Sequence, residues 1–235
     1  MKKIMFSTEY GLHQGVISST KTMTRRVERI DFFPGSREEQ IEKFSKRSAT
    51  DAKGRQVWLG FDNKGNWIAQ LISRYAIGEE IAVAQSYSSI EREIEKEGLP
   101  LNIKDKLRKH KGWTNKMFVR ADLMPHRIRI TNIRVERLQD ISDEDCLREG
   151  IYDVFPYIDR NPKVKSYWFL DEKSKYGYHQ LSSVRDCFAL LIDKVSGKGT
   201  WERNPWVLVY EFELVNQQRV RIELKQTKYG TDNKE

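Results

Sequence analysis

The chain has 235 residues, enough for one large domain or two small ones and for a real hydrophobic core. Hydrophobic residues make up 38% and charged residues 32%, while six Trp, ten Tyr and ten Phe exclude disorder over most of the length. No apolar run approaches the roughly 18 residues of a membrane span, and Thr8-Glu9 interrupts the apolar start, so we expect neither a membrane segment nor a signal peptide.

The net charge of +8 is unevenly distributed. Residues 104–134 contain ten Lys and Arg against two acids, an excess equal to that of the whole chain. Such a band predicts a polyanion-binding face, although ordinary soluble proteins carry similar bands. If the band meets phosphates, the candidate contacts are its basic side chains Lys116, Arg120, Arg127 and Arg129.

The first half of the chain predicts up to three helices and several short strands. A weak helical pattern covers 9–19, and the charged stretch 31–53 has one possible short helix at 37–46. Two apolar-rich runs, 56–61 and 66–72, flank Asp62-Asn63-Lys64-Gly65, which predicts a hairpin. Residues 77–84 predict a turn followed by a buried strand, and a polar helix is expected at 88–98.

The second half predicts strands at 118–121 and 127–138, and the alternation of the latter slips at Thr131-Asn132, which indicates a bulge. A short helix follows, with Ser142 as its N-cap and Gly150 just past its end. The remaining expected elements are an aromatic-rich ordered insertion, an amphipathic helix at 183–195 and a final strand at 207–215. This order predicts an α+β fold, with short strands in a small curved sheet or barrel and helices outside.

Lys21-Thr22-Met23-Thr24-Arg25-Arg26 concentrates chemistry in six residues. An amine and a hydroxyl three residues apart can meet at one reacting centre, and adjacent guanidinium groups can hold an anion or depress the amine pKa. A solvated basic turn explains the same residues equally simply. Thr22, Arg25 and Arg26 are therefore candidate ligand-binding residues, and Lys21 and Thr24 candidate reacting groups.

Glu149 is the carboxylate that stands out elsewhere in the chain. An acid near the negative end of a helix is unfavourable, so either Glu149 is solvated or a cation such as Lys21 lies beside it. The tryptophans Trp113, Trp201 and Trp206 can serve as base-stacking platforms, although packing is the commoner role of such large aromatics. Two cysteines without a spacing motif and four scattered histidines predict no disulfide, no metal site and a reducing cytoplasm, and no cofactor motif occurs.

With these residues in view, the sequence resembles an ASCH domain of the PUA-like superfamily, in the longer form found in phage and prophage proteins. The likeness rests on ordered segments: Lys21–Arg26 after a short helix, Tyr75–Val83 as a barrel strand, Met124-Pro125-His126, Ile133–Ser142, Glu149-Gly150, and Asn204-Pro205-Trp206 leading to Glu213. It departs at Ala84-Gln85, where many longer relatives carry Arg-Glu.

The resemblance implies a small β-barrel flanked by helices, with a cleft suited to RNA or a modified base. It implies one domain over 1–215, with insertions at about 31–72, 88–112 and 151–182, followed by a polar tail at 216–235. Some small family members hydrolyse the acyl amide of N4-acetylcytidine with a lysine, a threonine and a glutamate, which fall here on Lys21, Thr24 and Glu149.

Three functions follow as hypotheses. The first is binding of RNA, DNA or a modified nucleoside in the cleft around Lys21–Arg26. The second is an amidohydrolase for an N4-acylated cytosine nucleoside, in which Thr24 attacks, Lys21 acts as base and Glu149 orients the lysine or moves a proton. The third is a phage protein that binds a host protein without chemistry. Each places the chain in the cytoplasm of a bacterium or a phage-infected cell.

Overall fold

The computed structural model describes residues 1–96, 105–153 and 165–215, without the side chains of 105 and 106. Within these ranges the chain is α+β, with three sheets and six helices. The helices are α1 (Leu12–Ile17), α2 (Tyr87–Lys96), α3 (Asp105–Arg108), α4 (Asp143–Arg148), α5 (Val184–Ser196) and α6 (Thr200–Arg203). Single 3-10 turns occur at Glu38–Gln40, Lys111–Trp113, Lys116–Phe118, Ala121–Leu123 and Leu138–Asp140.

The twelve strands form one central sheet and two smaller ones. Their bounds are β1 (Lys3–Ile4), β2 (Met23–Arg26), β3 (Asp31–Phe32), β4 (Lys43–Lys46), β5 (Val57–Phe61), β6 (Trp67–Ile72), β7 (Glu80–Val83), β8 (Arg127–Arg137), β9 (Tyr152–Asp153), β10 (Tyr167–Leu170), β11 (Tyr178–Leu181) and β12 (Trp206–Val215). The central sheet has the order β1-β7-β8-β12-β2, and only its β1–β7 pair is parallel.

The long pair β8–β12 is the centre of this sheet. Its register skips Thr131, because Asn132 lies opposite Glu211 while Ile130 lies opposite Phe212. The extra residue is the predicted bulge, which restores the inward direction of Ile133 after Ile130. Both strands contribute fully buried side chains to the main core, and the consecutive burial of Val207–Tyr210 shows that this part of β12 is covered on both faces.

Residues 31–72 form their own antiparallel sheet in the order β3-β6-β5-β4. Trp58 and Leu71 bury their side chains in the main core, and Phe44 packs edge-on to Trp206 with ring centroids 5.0 Å apart. The third sheet, in the order β11-β10-β9, belongs to the aromatic-rich insertion and packs Phe169 beneath α5.

The predicted elements with strong local signals are confirmed. These are the hairpin β5–β6, the strand β7, the helix α2 and the strands β8 and β12. Ser142 accepts a hydrogen bond from the Asp145 amide as the N-cap of α4, and Ser183 caps α5 in the same way. Both cysteines, Cys146 and Cys187, are buried free thiols.

Two local predictions were wrong. Residues 118–121 form no strand: the segment consists of two 3-10 turns, and the Asn115 side chain accepts from the Met117 amide. The stretch 37–46 is a 3-10 turn followed by β4, because its strand pairs with β5 across the sheet. The polar tail at 216–235 and residues 97–104 and 154–164 lie outside the described part of the chain.

Candidate functional site

The basic stretch begins where α1 ends and runs into β2. The Lys21 amide donates to the carbonyl of Gly15, which turns the chain out of the helix. The Thr22 amide donates to the Arg148 carbonyl, and the Thr22 carbonyl accepts from the Phe212 amide. These main-chain bonds clamp the stretch between β12 and the end of α4, so it is a structured edge of the central sheet rather than a solvated turn.

Lys21 is 2% exposed and Glu149 is 5% exposed, so both charges lie away from water. The Lys21 ammonium donates to the Glu149 carboxylate at 2.7 Å and to the Glu149 main-chain carbonyl at 2.6 Å. It also lies 5.9 Å from the centroid of the Phe6 ring. The predicted cation beside Glu149 is therefore Lys21 itself.

Burial lowers the pKa of the Lys21 ammonium from its ordinary value. Glu149 opposes this shift by its charge and hydrogen bond, while the guanidinium groups of Arg26 and Arg25 add to it. A lysine whose pKa falls can release its proton more readily, which is the property required of a general base.

Arg25 is 5% exposed and is held by carboxylates on three sides. Its Nε and Nη2 donate to one oxygen of Glu136 at 2.9 and 2.6 Å, Nη2 also meets Asp145 at 2.9 Å, and Nη1 reaches Glu149 at 3.1 Å. Burial alone lowers the pKa of Arg25, but Glu149 and Glu136 raise it on balance. Arg25 is thus a fixed cation that orients Glu149, and its donors are committed to protein acceptors.

The ion pairs of Lys21 and Arg25 belong to a larger ionic cluster that extends to the outer part of the sheet. Arg134 pairs with Glu136, Asp145 and Glu211, and Arg148 pairs with Glu211 at 2.9 Å. Arg148 also donates to the Thr22 hydroxyl at 3.2 Å, so Thr22 belongs to this cluster. The cluster contains four acidic and four basic side chains, so its charges balance: Glu136, Asp145, Glu149 and Glu211 against Lys21, Arg25, Arg134 and Arg148. Lys21 and Arg25, which the sequence alone presents as part of an anion-binding stretch, are therefore neutralised by protein carboxylates.

A cavity of about 340 Å³ opens beside the Lys21–Glu149 pair. Its apolar side is formed by Phe6, Leu12, Phe188, Leu191 and Ile192, and its polar side by Ser7, Lys21, Thr24, Arg26 and Glu149. The volume lies at the lower end of the range for small-molecule sites. One apolar wall facing a few convergent polar groups is the usual composition of such a site.

Thr24 and Arg26 supply polar groups to this cavity. The Thr24 side chain is 4% exposed and lines the cavity. Arg26 donates through Nη2 to the Met5 carbonyl at 2.7 Å, while its buried Nε has no partner in the described part of the chain. Buried polar groups are normally hydrogen-bonded, so Arg26 Nε is a candidate for a ligand contact in the cavity that Thr24 also lines.

The four candidates from the basic band do not line this cavity. Arg129 is paired with Glu80 and Glu213, and Arg120 with Asp122. Lys116 donates to the carbonyl of Phe6, a residue of the cavity wall, and Arg127 lies at the start of β8 opposite Val215. The structure therefore joins Lys21, Thr24, Arg25, Arg26 and Glu149 and leaves the band elsewhere.

The tryptophans considered for base stacking are engaged in packing. Trp206 is 9% exposed, with the Arg137 guanidinium 4.4 Å from its ring centroid. Trp201 packs against Phe188, with ring centroids 6.0 Å apart. Among the described residues, no cluster of His, Cys, Asp and Glu could hold a metal ion, and no helix there is long and apolar enough to cross a membrane.

Comparison with known proteins adds no relative to this geometry. No family model, no curated protein and no solved structure matches the chain. The site must therefore be interpreted from its own chemistry.

One feature that the sequence did not single out is His13, whose two ring nitrogens are buried without partners in the described part of the chain.

Proposed function

We propose that the chain is an amidohydrolase that binds an acylated nucleobase in the Lys21 cavity, with an N4-acylated cytosine nucleoside as the substrate class. The observation that supports this best is the buried Lys21–Glu149 ion pair, which lines the same cavity as Thr24. A lysine with a lowered pKa and a hydroxyl that line one cavity are a base and a nucleophile of the kind that covalent catalysis uses.

The cavity suits a flat ligand with one apolar face and polar edges. Phe6 and Phe188 can contact a base ring or the acyl group, while Arg26 Nε can donate to a carbonyl oxygen. Ser196 and Arg203 line the same cavity and can meet a ribose. These contacts would place the acyl carbon near the polar wall that carries Thr24.

In the proposed reaction the Thr24 hydroxyl adds to the acyl carbonyl carbon as its proton passes to neutral Lys21 Nζ. The tetrahedral intermediate carries an oxyanion, which Arg26 Nε can stabilise. Collapse breaks the bond between carbon and N4, and Lys21 returns the proton to the departing amine. Water, activated by the same lysine, then releases the acyl group from Thr24 as a carboxylic acid.

Glu149 is assigned two tasks in this scheme. Its carboxylate fixes the Lys21 ammonium in the cavity wall, and it stabilises the positive charge that forms when Lys21 accepts a proton. Arg25 is a positioning residue, since it contacts Glu149 and does not meet the reacting atoms in this scheme. Its role is to keep the carboxylate oriented toward Lys21.

The finer architecture that we propose is a PUA-like barrel of the ASCH type. The outer strands of the central sheet are β1 and β2, and among the described residues no ladder joins them. The hydrogen bond from Arg26 at the end of β2 to Met5 just after β1 brings these edges together. A sheet that curls toward closure would make this contact.

Binding of a nucleic acid along the basic band receives less support from the geometry. Arg108, Arg129 and Arg134 are paired with acids from outside the band, and Arg120 is paired with Asp122 within it. A phosphate must displace such a partner before it gains the full attraction of the arginine. Binding of a modified nucleoside in the Lys21 cavity without turnover is the second candidate, and the unpartnered Arg26 Nε favours it.

The test is hydrolysis of N4-acetylcytidine, followed by chromatographic separation of cytidine and acetate. Lys21→Met, Thr24→Ala and Glu149→Gln are each expected to lower kcat by roughly 10²- to 10⁴-fold. Arg29→Ala removes an exposed cation outside the cavity and should leave turnover unchanged. Turnover that persists in Lys21→Met and Thr24→Ala contradicts the proposal, and saturable binding without turnover in the unsubstituted protein supports the second candidate.

A further inference from the structure

A second cavity lies on the other side of α1. Leu12 lines the first cavity, whereas the next residue, His13, lines the second. This cavity has a volume of about 680 Å³, and its remaining wall comes from α2, the residue Gln85 after β7, and Leu170 at the end of β10. None of its lining residues belongs to the proposed hydrolytic site, so a ligand here is independent of that proposal.

His13 lines this cavity, and its ring nitrogens have no protein partner among the described residues. The side chain is 7% exposed, and neither Nδ1 nor Nε2 has a hydrogen-bond partner among the described residues. Burial, together with the charges of Lys116 and His126, lowers the pKa of His13 to about 4. At neutral pH the ring is therefore uncharged and offers one donor and one acceptor.

Gln85 lines the same cavity and has a side-chain carbonyl oxygen without a partner among the described residues. Its Nε2 donates to Glu93 at 2.8 Å, and the other oxygen of Glu93 meets His126 Nε2 at 2.6 Å. A carboxylate only accepts hydrogen bonds, so the amide nitrogen of Gln85 must face Glu93 and its oxygen must face away. That oxygen, Oε1, is buried without a partner, and Gln85 is 5% exposed.

Together these atoms define the chemistry of a complementary ligand. Gln85 Oε1 requires a donor, and the neutral His13 ring requires one acceptor and one donor. The edge of a nucleobase carries amino, imino and carbonyl groups within one plane, and it satisfies all three atoms. A carboxylate or a simple inorganic anion leaves Gln85 Oε1 without a donor, which is costly for a buried acceptor.

Cations at the mouth of the cavity add a place for phosphate. Arg92 and Lys96 lie one turn apart on α2, and both are exposed and line the cavity. A third cavity of about 540 Å³ shares Thr8, Gln85, Ser89 and Arg92 with this one and continues to Lys116. The two form one groove with a polar floor at His13 and Gln85 and basic groups at its rim.

We infer that this groove binds a nucleotide, with the base edge on His13 and Gln85 and the phosphate on Arg92 and Lys96. Glu93 acts as a positioning residue, since it fixes the orientation of the Gln85 amide. The site can accept a free nucleotide or one nucleotide of a single strand, because both present the same base edge and phosphate. The apolar Leu170 at the wall can pack against the ring of the base.

The experiment is isothermal titration calorimetry of the full chain at low salt. The titrants are the four ribonucleoside 5′-monophosphates, the matching nucleosides, inorganic phosphate and short homopolymeric single strands. At least one monophosphate should bind, its nucleoside should bind more weakly, and phosphate alone should give no signal. Stronger binding of the strand than of the monophosphate assigns the site to a polynucleotide, and equal binding assigns it to a free nucleotide.

The decisive variant is His13→Phe, compared with His179→Phe as a matched control. His13→Phe should weaken nucleotide binding roughly tenfold to a hundredfold, since two hydrogen bonds are lost. It should leave the protein no less stable, because the His13 nitrogens have no protein partners to lose. His179 bonds to Asp171 at 2.8 Å outside the groove, so His179→Phe should cost stability and keep the affinity.

Other outcomes overturn the inference. If no monophosphate or nucleoside binds, or if His13→Phe binds as tightly as the unsubstituted protein, the groove is not a nucleotide site. If inorganic phosphate binds as tightly as the monophosphates, the groove does not recognise the base. Thr24→Ala should leave this affinity unchanged, so loss of acyl hydrolysis and loss of nucleotide binding are separate results.

Discussion

Lys21 binds Glu149 twice, through the side-chain carboxylate and through the main-chain carbonyl of the same residue. Glu149 is the C-cap of α4, where main-chain carbonyls have no partner within the helix. The ammonium therefore satisfies a helix end and a buried carboxylate together, and a cation is favourable at that end of the helix dipole. This explains how an acid is tolerated at the negative end of α4.

The first prediction concerns this pair. Lys21→Met leaves Glu149 buried beside Arg25 alone, and Glu149→Gln leaves the Lys21 ammonium without its counter-charge. Removal of one partner of a buried pair typically costs about 3–5 kcal/mol of unfolding free energy. We expect a loss of this size for each single variant, measured by urea denaturation.

The double variant Lys21→Met with Glu149→Gln separates pairing from packing. Its loss should be clearly smaller than the sum of the two single losses, because no unpaired lysine or glutamate charge remains. Additive losses would mean that the two side chains contribute independently. In that case the ion pair would not be the interaction that stabilises this wall of the cavity.

The second prediction concerns Arg25. Lysine keeps the positive charge, but its single ammonium cannot reproduce the planar guanidinium group that contacts Glu136, Asp145 and Glu149 together. Arg25→Lys should cost about 2–4 kcal/mol of stability, within the range for disrupted buried ionic networks. Arg129→Lys is the matched control, because Arg129 is partly exposed and its pairs with Glu80 and Glu213 lie at the surface. A comparable loss in both variants would contradict a special role for Arg25.

Much of the fold could be predicted because its signals are local. The turn Asp62–Gly65 sets the β5–β6 hairpin, and the caps Ser142 and Gly150 set the ends of α4. The bulge at Thr131 was visible as a slip in the apolar alternation of one strand. In each case the information lies within about ten residues, and propensity and patterning agree with the final structure.

The parts that failed depend on distant partners. Residues 118–121 are apolar enough for a strand, but side-chain caps such as Asn115 satisfy the main chain there in 3-10 turns. The charge of the basic band was counted correctly, yet Glu80, Glu213 and Glu211 approach it from other strands and pair with it. Sequence periodicity carries no information about such pairs.

The candidate site also has residues that could be predicted from local sequence signals and residues that only the fold identifies. Lys21 and Thr24 stood out by spacing, and Glu149 stood out as an acid at the negative end of a helix, although their convergence required the fold. His13 gave no signal, because an unpartnered ring nitrogen is a property of the surrounding cavity. Only the absence of donors and acceptors around it in the described structure distinguishes His13 from an ordinary core histidine.

The third prediction is a pH dependence that arises from His13. Its pKa is about 4 in the folded protein and near 6.5 when the chain is unfolded, so the unfolded state binds more protons between these values. Stability should therefore be complete above about pH 6.5 and fall as the pH drops toward 4. Lys116 and His126 disfavour the charged ring and Glu93 favours it, so the fall reflects their sum with burial.

The measurement is the urea midpoint as a function of pH for the unsubstituted protein and His13→Phe. The variant should lose most of the slope between pH 6.5 and 4, which corresponds to about 3 kcal/mol for a shift of this size. Asp171 does not account for this slope, because hydrogen bonds from Lys194 and His179 lower its pKa to about 2, below the range from pH 6.5 to 4. An unchanged slope in His13→Phe would assign the acid sensitivity to other groups.

The fourth prediction concerns Gly150, which joins α4 to the cavity wall. Its φ is +103°, and a Cβ added there would lie 2.9 Å from Leu12 Cδ2 and 3.6 Å from Lys21 Cδ. Gly177 is the matched control, since its φ is +77° and its added Cβ meets nothing within 4 Å. Alanine at either position incurs a backbone cost of about 1–2 kcal/mol, but only Gly150→Ala must also displace Leu12, and with it the wall that carries Lys21. Gly150→Ala should therefore be the less stable variant by denaturation and should lower hydrolysis of N4-acetylcytidine, whereas Gly177→Ala should keep full turnover. Equal stability and turnover in the two variants would mean that the contact of Gly150 with α1 does not shape the site.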